Sequence, residues 1–115
     1  MRIHVKRAYE EPSPDDGYRV LVDRVWPRGV SKEKAKLDQW MTDVSPSTDL
    51  RKWFGHDPEK WLEFKARYKK ELAAHEDLVE ELRRIARHGT LTLVFGARDT
   101  KHNNAVALRQ ILENA

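Results

Sequence analysis

A chain of 115 residues is the size of one domain with a single modest core, and the absence of cysteine excludes disulfides, thiolate zinc sites and cysteine nucleophiles. Charged residues make up 36% of it, but ten aromatic side chains (four Trp, three Tyr, three Phe) argue against the disorder that such a fraction would otherwise suggest. The net charge of +3 falls short of the dense Lys/Arg stripe of a duplex-DNA binder.

Arg2-Ile3-His4-Val5-Lys6 alternates polar and apolar residues as a half-buried or edge strand does. Glu10 to Gly17, with two prolines and four acids, is a loop by composition. Val20-Leu21-Val22 is a short continuous apolar run, which predicts a strand covered on both faces, ended by Pro27 and Gly29. Ser31 predicts a brief helix over residues 32–36, followed by a strand around Leu37–Met41. Ser47, or Ser45 with Pro46 at the first helical position, starts a short helix that Gly55 stops.

Asp57-Pro58 signals a further helix start, and Trp61, Phe64, Tyr68 and Leu72 follow at helical spacing. The pattern changes phase around Ala74–Asp77 and resumes with Leu78, Leu82 and Ile85, which predicts two helices or one bent helix ending at Gly89. Glu63 with Arg67 and Glu80 with Arg84 are favourably ordered pairs four residues apart. Thr90 to Phe95 reads as the second clear strand. A last amphipathic helix, capped by Asp99 or Thr100, carries Ala105, Leu108, Ile111 and Leu112. Long helical connections favour parallel pairing. The expected fold class is therefore α/β, over residues 1–115, with a small, mostly parallel sheet of about four strands and helices packed on its faces.

In such a sheet ligands bind beyond the carboxyl ends of the strands. Two loops would lie there: Asp23 to Ser31, offering Asp23, Arg24, Trp26 and Arg28, and Gly96 to Asn104, offering Arg98, Asp99, Lys101, His102, Asn103 and Asn104. If the two strands are neighbours, Arg24, Arg28 and Arg98 converge beside a helix start, and such groups match phosphate or carboxylate oxygens. Asp23 with Arg98, or Asp99 with Arg24, could equally be ion pairs that tie the loops together and leave little charge for a ligand. Trp26 is more simply a core and turn residue than a ligand platform. Arg51 and His56 could close over a ligand from a covering segment, or belong to the surface. If the pocket is catalytic, Asp23 or Asp99 together with His102 supplies acid–base chemistry of a hydrolase-like kind.

The five histidines show no metal-ligand spacing, and no Gly-rich phosphate loop, Gly-x-Ser-x-Gly or dinucleotide fingerprint occurs. No metal or cofactor is expected. No apolar run fits a signal peptide or a membrane span, so a cytoplasmic, soluble protein with no membrane partner is expected. A small anionic ligand is the favoured partner. The alternatives are a nucleic-acid-binding or regulatory module using Arg83, Arg84, Arg87 and Lys101, and a non-catalytic protein-interaction domain.

The tract Asp23-Arg24-Val25-Trp26-Pro27-Arg28-Gly29-Val30-Ser31-Lys32-Glu33 resembles the YeaO-like members of the domain-of-unknown-function family 488. So do Pro46-Ser47, Leu50 to His56, Glu71-Leu72, Ala97-Arg98-Asp99 and His102-Asn103. The resemblance implies a small bacterial or archaeal α/β protein and carries over no assigned catalytic residue. Longer relatives have a cysteine near the loop matched here by Arg98–His102, so their thiol chemistry does not transfer to this chain. Some relatives carry regulator labels, but no winged helix-turn-helix is evident in these residues.

Overall fold

Alternation decides which layer each strand residue meets. The computed structural model describes residues 1–114 and contains four strands: β1 (Arg2–Arg7), β2 (Tyr18–Leu21), β3 (Gln39–Trp40) and β4 (Thr90–Phe95). They form one sheet in the order β1-β4-β2-β3, with every pairing parallel. On one face Ile3, Val20, Leu91, Leu93 and Phe95, continued by Val22 beyond the strand, enter the main core. On the other face Leu21 and Val94 pack with Ala8 under Trp26, Val30 and Leu37. The strand expected around residues 37–41 is only two residues long.

The main core is closed by α2 (Thr48–Phe54), α3 (Trp61–Leu72), α4 (Glu76–His88) and α5 (Asn104–Glu113). Ser47, not Ser45, caps α2 by accepting the Leu50 N–H at 3.1 Å, and the Glu71 carboxylate binds the Ser47 N–H and hydroxyl at 2.8 and 2.6 Å. Phe64, Tyr68 and Leu72 are buried along α3, and the buried Tyr68 hydroxyl donates to the Val44 carbonyl. A short 3₁₀ turn at Ala73–His75 separates α3 from α4, which resolves the phase change into two helices. In α4 the buried stripe is Val79, Leu82 and Ala86, with Leu78 and Ile85 at its margins.

Glu63 pairs with Arg67 as expected, but Glu80 does not reach Arg84. It bonds Arg83 at 2.7 Å and lies 3.9 Å from Arg87. Arg83 is drawn inward because it also donates to the Ile111 and Leu112 carbonyls, the unpaired last acceptors of α5.

The second face is polar at its lower end. Arg19, 3% exposed, donates to Asp16 at 2.6 Å and to the Ala35 carbonyl of α1 (Lys32–Ala35) at 3.1 and 2.8 Å. Lys6 adds a second cation to Asp16 at 3.2 Å. Gly17, with φ 64°, lets the chain turn from this cluster into β2; a Cβ there would sit 2.3 Å from the Thr90 carbonyl oxygen. Because a buried guanidinium without a carboxylate is costly, this cluster fixes how the loop before β2 enters the sheet.

Candidate functional site

Parallel pairing throughout places all the strand carboxyl ends along one edge of the sheet. β2 turns outward toward β3 while β4 turns back into α5, which packs on β1 and β4, so the loops leaving these adjacent strands diverge. A cleft of about 390 Å³ opens between them, within the usual size of a small-molecule site. Tyr9 after β1, Asp23 to Pro27 after β2, Gly96 and Ala97 after β4, and α2 and the start of α5 contribute to its walls.

Asp23 is the acid of the cleft. Its Oδ2 accepts the Gly96 N–H at 2.8 Å and its Oδ1 accepts from Asn104 Nδ2 at 3.1 Å, while its backbone carbonyl accepts the Trp40 indole N–H at 2.8 Å. Asn104 also donates to the Val22 carbonyl at 2.8 Å, so one side chain stitches the β2 exit to the start of α5. Burial raises the Asp23 carboxyl above the ordinary aspartate range, against the pull of the Gly96 N–H, Asn104 and the Arg51 charge.

The cations of the cleft are Arg24, Arg51 and Lys52, all exposed. Arg24 reaches the Pro46 and Ser45 carbonyls through long bonds of 3.4 Å. Among the described residues none of the three forms an ion pair. The alternative pairings Asp23–Arg98 and Asp99–Arg24 do not form either: Asp23 is engaged as above, and Asp99 turns to its own loop. Asp99 Oδ1 accepts the N–H groups of Lys101 and His102 at 2.9 and 3.0 Å, and Oδ2 lies 3.0 Å from His102 Nδ1. The Lys101 N–H, with His102, holds the Asp99 carboxyl below its ordinary range in spite of its partial burial. His102 itself lines the cleft, its ring edge-on to Trp61 at 5.4 Å.

Neither Asp99 nor Thr100 caps α5. Asn103 does, accepting the Val106 N–H at 2.9 Å and donating to the Asp99 carbonyl at 2.9 Å. Asn103 also lines the cleft, but its amide is engaged in holding the loop.

Of the residues expected at the site, Asp23, Arg24, Arg51, His56, His102 and Asn103 come together on the cleft wall. Asp99 stands behind His102, and the other three lie elsewhere. Trp26 packs beneath the sheet in the second core, its indole N–H bonded to the Val30 carbonyl at 2.7 Å and its ring edge-on to Trp40 at 5.4 Å. Arg28 and Arg98 are exposed outside the cleft, and Arg28 contributes only its carbonyl, which accepts from Tyr9 at 2.9 Å. The side chains of these loops diverge with the backbone, so the predicted three-arginine convergence reduces to Arg24 alone.

Lys52 and Tyr9 were missed. Lys52 adjoins Arg51 in the Leu50–His56 motif, and Tyr9 lies two residues past the carboxyl end of a parallel strand, so adjacency and topology were the available signals. Among the described residues no group of three or more His, Asp or Glu could hold a metal, and no helix is long and apolar enough to cross a membrane.

The family described as "Inactive DUF488-N3 subclade" matches residues 2–115. The chain is 42% identical to the uncharacterized protein Rv3073c of Mycobacterium tuberculosis (strain ATCC 25618 / H37Rv) over 111 residues, 96% of this chain and 93% of that protein. It is 41% identical to the uncharacterized protein YeaO of Escherichia coli (strain K12) over 114 residues, 99% of each chain. No solved structure matches it. With the match running from the first strand to the last helix and two bacterial relatives aligned along their lengths, the chain belongs to the DUF488 family, in the subclade described as inactive DUF488-N3.

Proposed function

We propose that the protein binds a small phosphate- or carboxylate-bearing molecule in the cleft at the carboxyl ends of the strands. One observation carries this reading: among the described residues Arg24, Arg51 and Lys52 reach the cleft without an ion pair to a carboxylate, while the one acid lining it is held by an N–H and an amide. A guanidinium offers paired donors suited to two anionic oxygens, and Arg24 spends only its Nε and one terminal nitrogen on carbonyls. The start of α5 at the same wall adds a modest positive potential. The description of the family as inactive favours holding a ligand over transforming it.

Thermal-shift measurements against phosphate- and carboxylate-bearing small molecules test the reading. At least one class is expected to raise the melting temperature of the wild-type protein, and Arg51→Ala is expected to remove most of that shift. Arg28→Ala and Arg98→Ala, outside the cleft, are expected to leave it unchanged. A wild-type melting temperature indifferent to every such anion would overturn the proposal.

A hydrolase-like activity is the second reading, and the Asp99–His102 contact of 3.0 Å favours it. A carboxylate at Nδ1 holds the proton there and leaves Nε2 as the free base. Turnover of p-nitrophenyl phosphate that is lost in His102→Asn would support it; no turnover above that variant would sink it. The nucleic-acid reading gains nothing from Arg83, whose guanidinium is committed to Glu80 and the end of α5.

A further inference from the structure

The lining of the cleft is graded from mouth to floor. Arg24, Arg51, Lys52 and His56 are exposed, whereas Phe54 and Phe64 are 5% and 2% exposed. The two phenyl rings stack at 4.4 Å between centroids with 25° between their planes. Pro27 and Pro46, both buried, add further apolar surface. Positive charge therefore stands where water reaches, and flat apolar surface lies further in.

Size and charge both argue against a bare inorganic anion as the natural occupant. At about 30 Å³ per heavy atom, the volume share of a water, a five-atom tetrahedral anion would fill less than half of the 390 Å³ available. Carried to the inner part of the cleft, it would also leave the exposed cations and meet the half-buried Asp23. The inner surface suits a neutral body, and aromatic faces favour offset stacking with a planar partner.

Resting on the anion-binding reading above, we infer that the ligand is amphipathic: a phosphate or carboxylate at the mouth, attached to a planar apolar body that enters the cleft against Phe54 and Phe64. At the mouth Tyr9 and Val25, 49% and 60% exposed, extend the apolar surface that such a body would cover.

Isothermal titration of the full-length protein with inorganic phosphate, methyl phosphate, phenyl phosphate and phenol tests this. Phenyl phosphate is expected to bind at least about tenfold more tightly than methyl phosphate, the scale of discrimination one apolar group gives in such a pocket. Phenol is expected not to bind measurably. Arg51→Gln should weaken both esters by the same factor. Phe64→Leu should reduce the preference for the phenyl ester, with Val25→Ser as an exposed second variant whose folding is not at stake. Equal binding of the two esters would overturn the amphipathic assignment and leave the anion reading standing. Failure of every anion to bind would overturn both.

Discussion

His56 follows Gly55 in the left-handed region, with φ values of 57° and 53°. Glycine adopts this geometry freely, but a residue with a Cβ pays about 1–2 kcal/mol. The turn swings the imidazole back to the cleft wall beside the Phe54 ring, 6.3 Å away. His56→Gly would relieve that strain but lose roughly 0.5–1 kcal/mol to the freer unfolded chain. Chemical denaturation should therefore show a stability change within about 1 kcal/mol of zero, and anion binding should weaken. A variant much less stable than this would mean that the ring serves the core instead.

Asp23 makes a second prediction at this scale. Its carboxyl is raised by burial, so the folded state holds its proton more tightly than the unfolded chain does. Its contribution to stability then falls as pH rises from the ordinary carboxylate range, about 4, through the raised folded value. The stability of wild type relative to Asp23→Ala, read from denaturation curves, should be highest at the acid end of that window, fall as pH rises through it, and level off above. A difference independent of pH would contradict the raised value.

At the scale of elements, α2 is too short to be stable alone and depends on its cap. Ser47 accepts the Leu50 N–H and is itself gripped by Glu71 from α3, so the cap also ties the two helices together. Ser47→Ala should cost about 1–2 kcal/mol and, since Arg51 and Lys52 ride on α2, should also weaken anion binding. Equilibrium denaturation and the thermal-shift assay read the two effects separately.

The elements were also where the sequence was most readable. Val20–Val22 announces a buried strand through an unbroken apolar run and Thr90–Phe95 through β-branched and apolar residues, and Gly55 and Gly89 mark the helix ends directly. Site residues were less readable because a loop's sequence does not encode its exit direction. Arg24 and Arg28 are four residues apart, yet the turn between them, locked by Trp26 on the Val30 carbonyl, sends only the first to the cleft. Arg51 and Lys52 reach it through the packing of α2, a tertiary event that periodicity does not describe. The cap of α5 was misplaced for a similar reason, because Asp99 satisfies its own loop and leaves the helix to begin at Asn103.

For the molecule as a whole, a buried ion-pair cluster lies away from the cleft, where Asp16 meets both Arg19 and Lys6. Burial pushes the Asp16 carboxyl up, but the Ser13 N–H, Lys6 and Arg19 outweigh this and hold it below the ordinary range. The stabilisation is therefore complete above the unfolded value, about 4, and is lost as pH falls through the folded one. Asp16→Asn should cost about 3–5 kcal/mol at neutral pH, since it strands the buried Arg19, and should flatten the acid limb of the stability curve. An acid limb unchanged by the substitution would place the sensitivity elsewhere.

β4 lies between β1 and β2, which have no pairing with each other. During synthesis the first three strands thus emerge before the one that unites them, and β2 has only the two-residue β3 beside it until then. Assembly of the sheet waits for residues 90–95, and the cleft, which needs Gly96 and the start of α5, comes later still. A nascent chain halted before β4 would expose the apolar faces of β1 and β2 together, the condition under which chaperone capture and aggregation compete with folding.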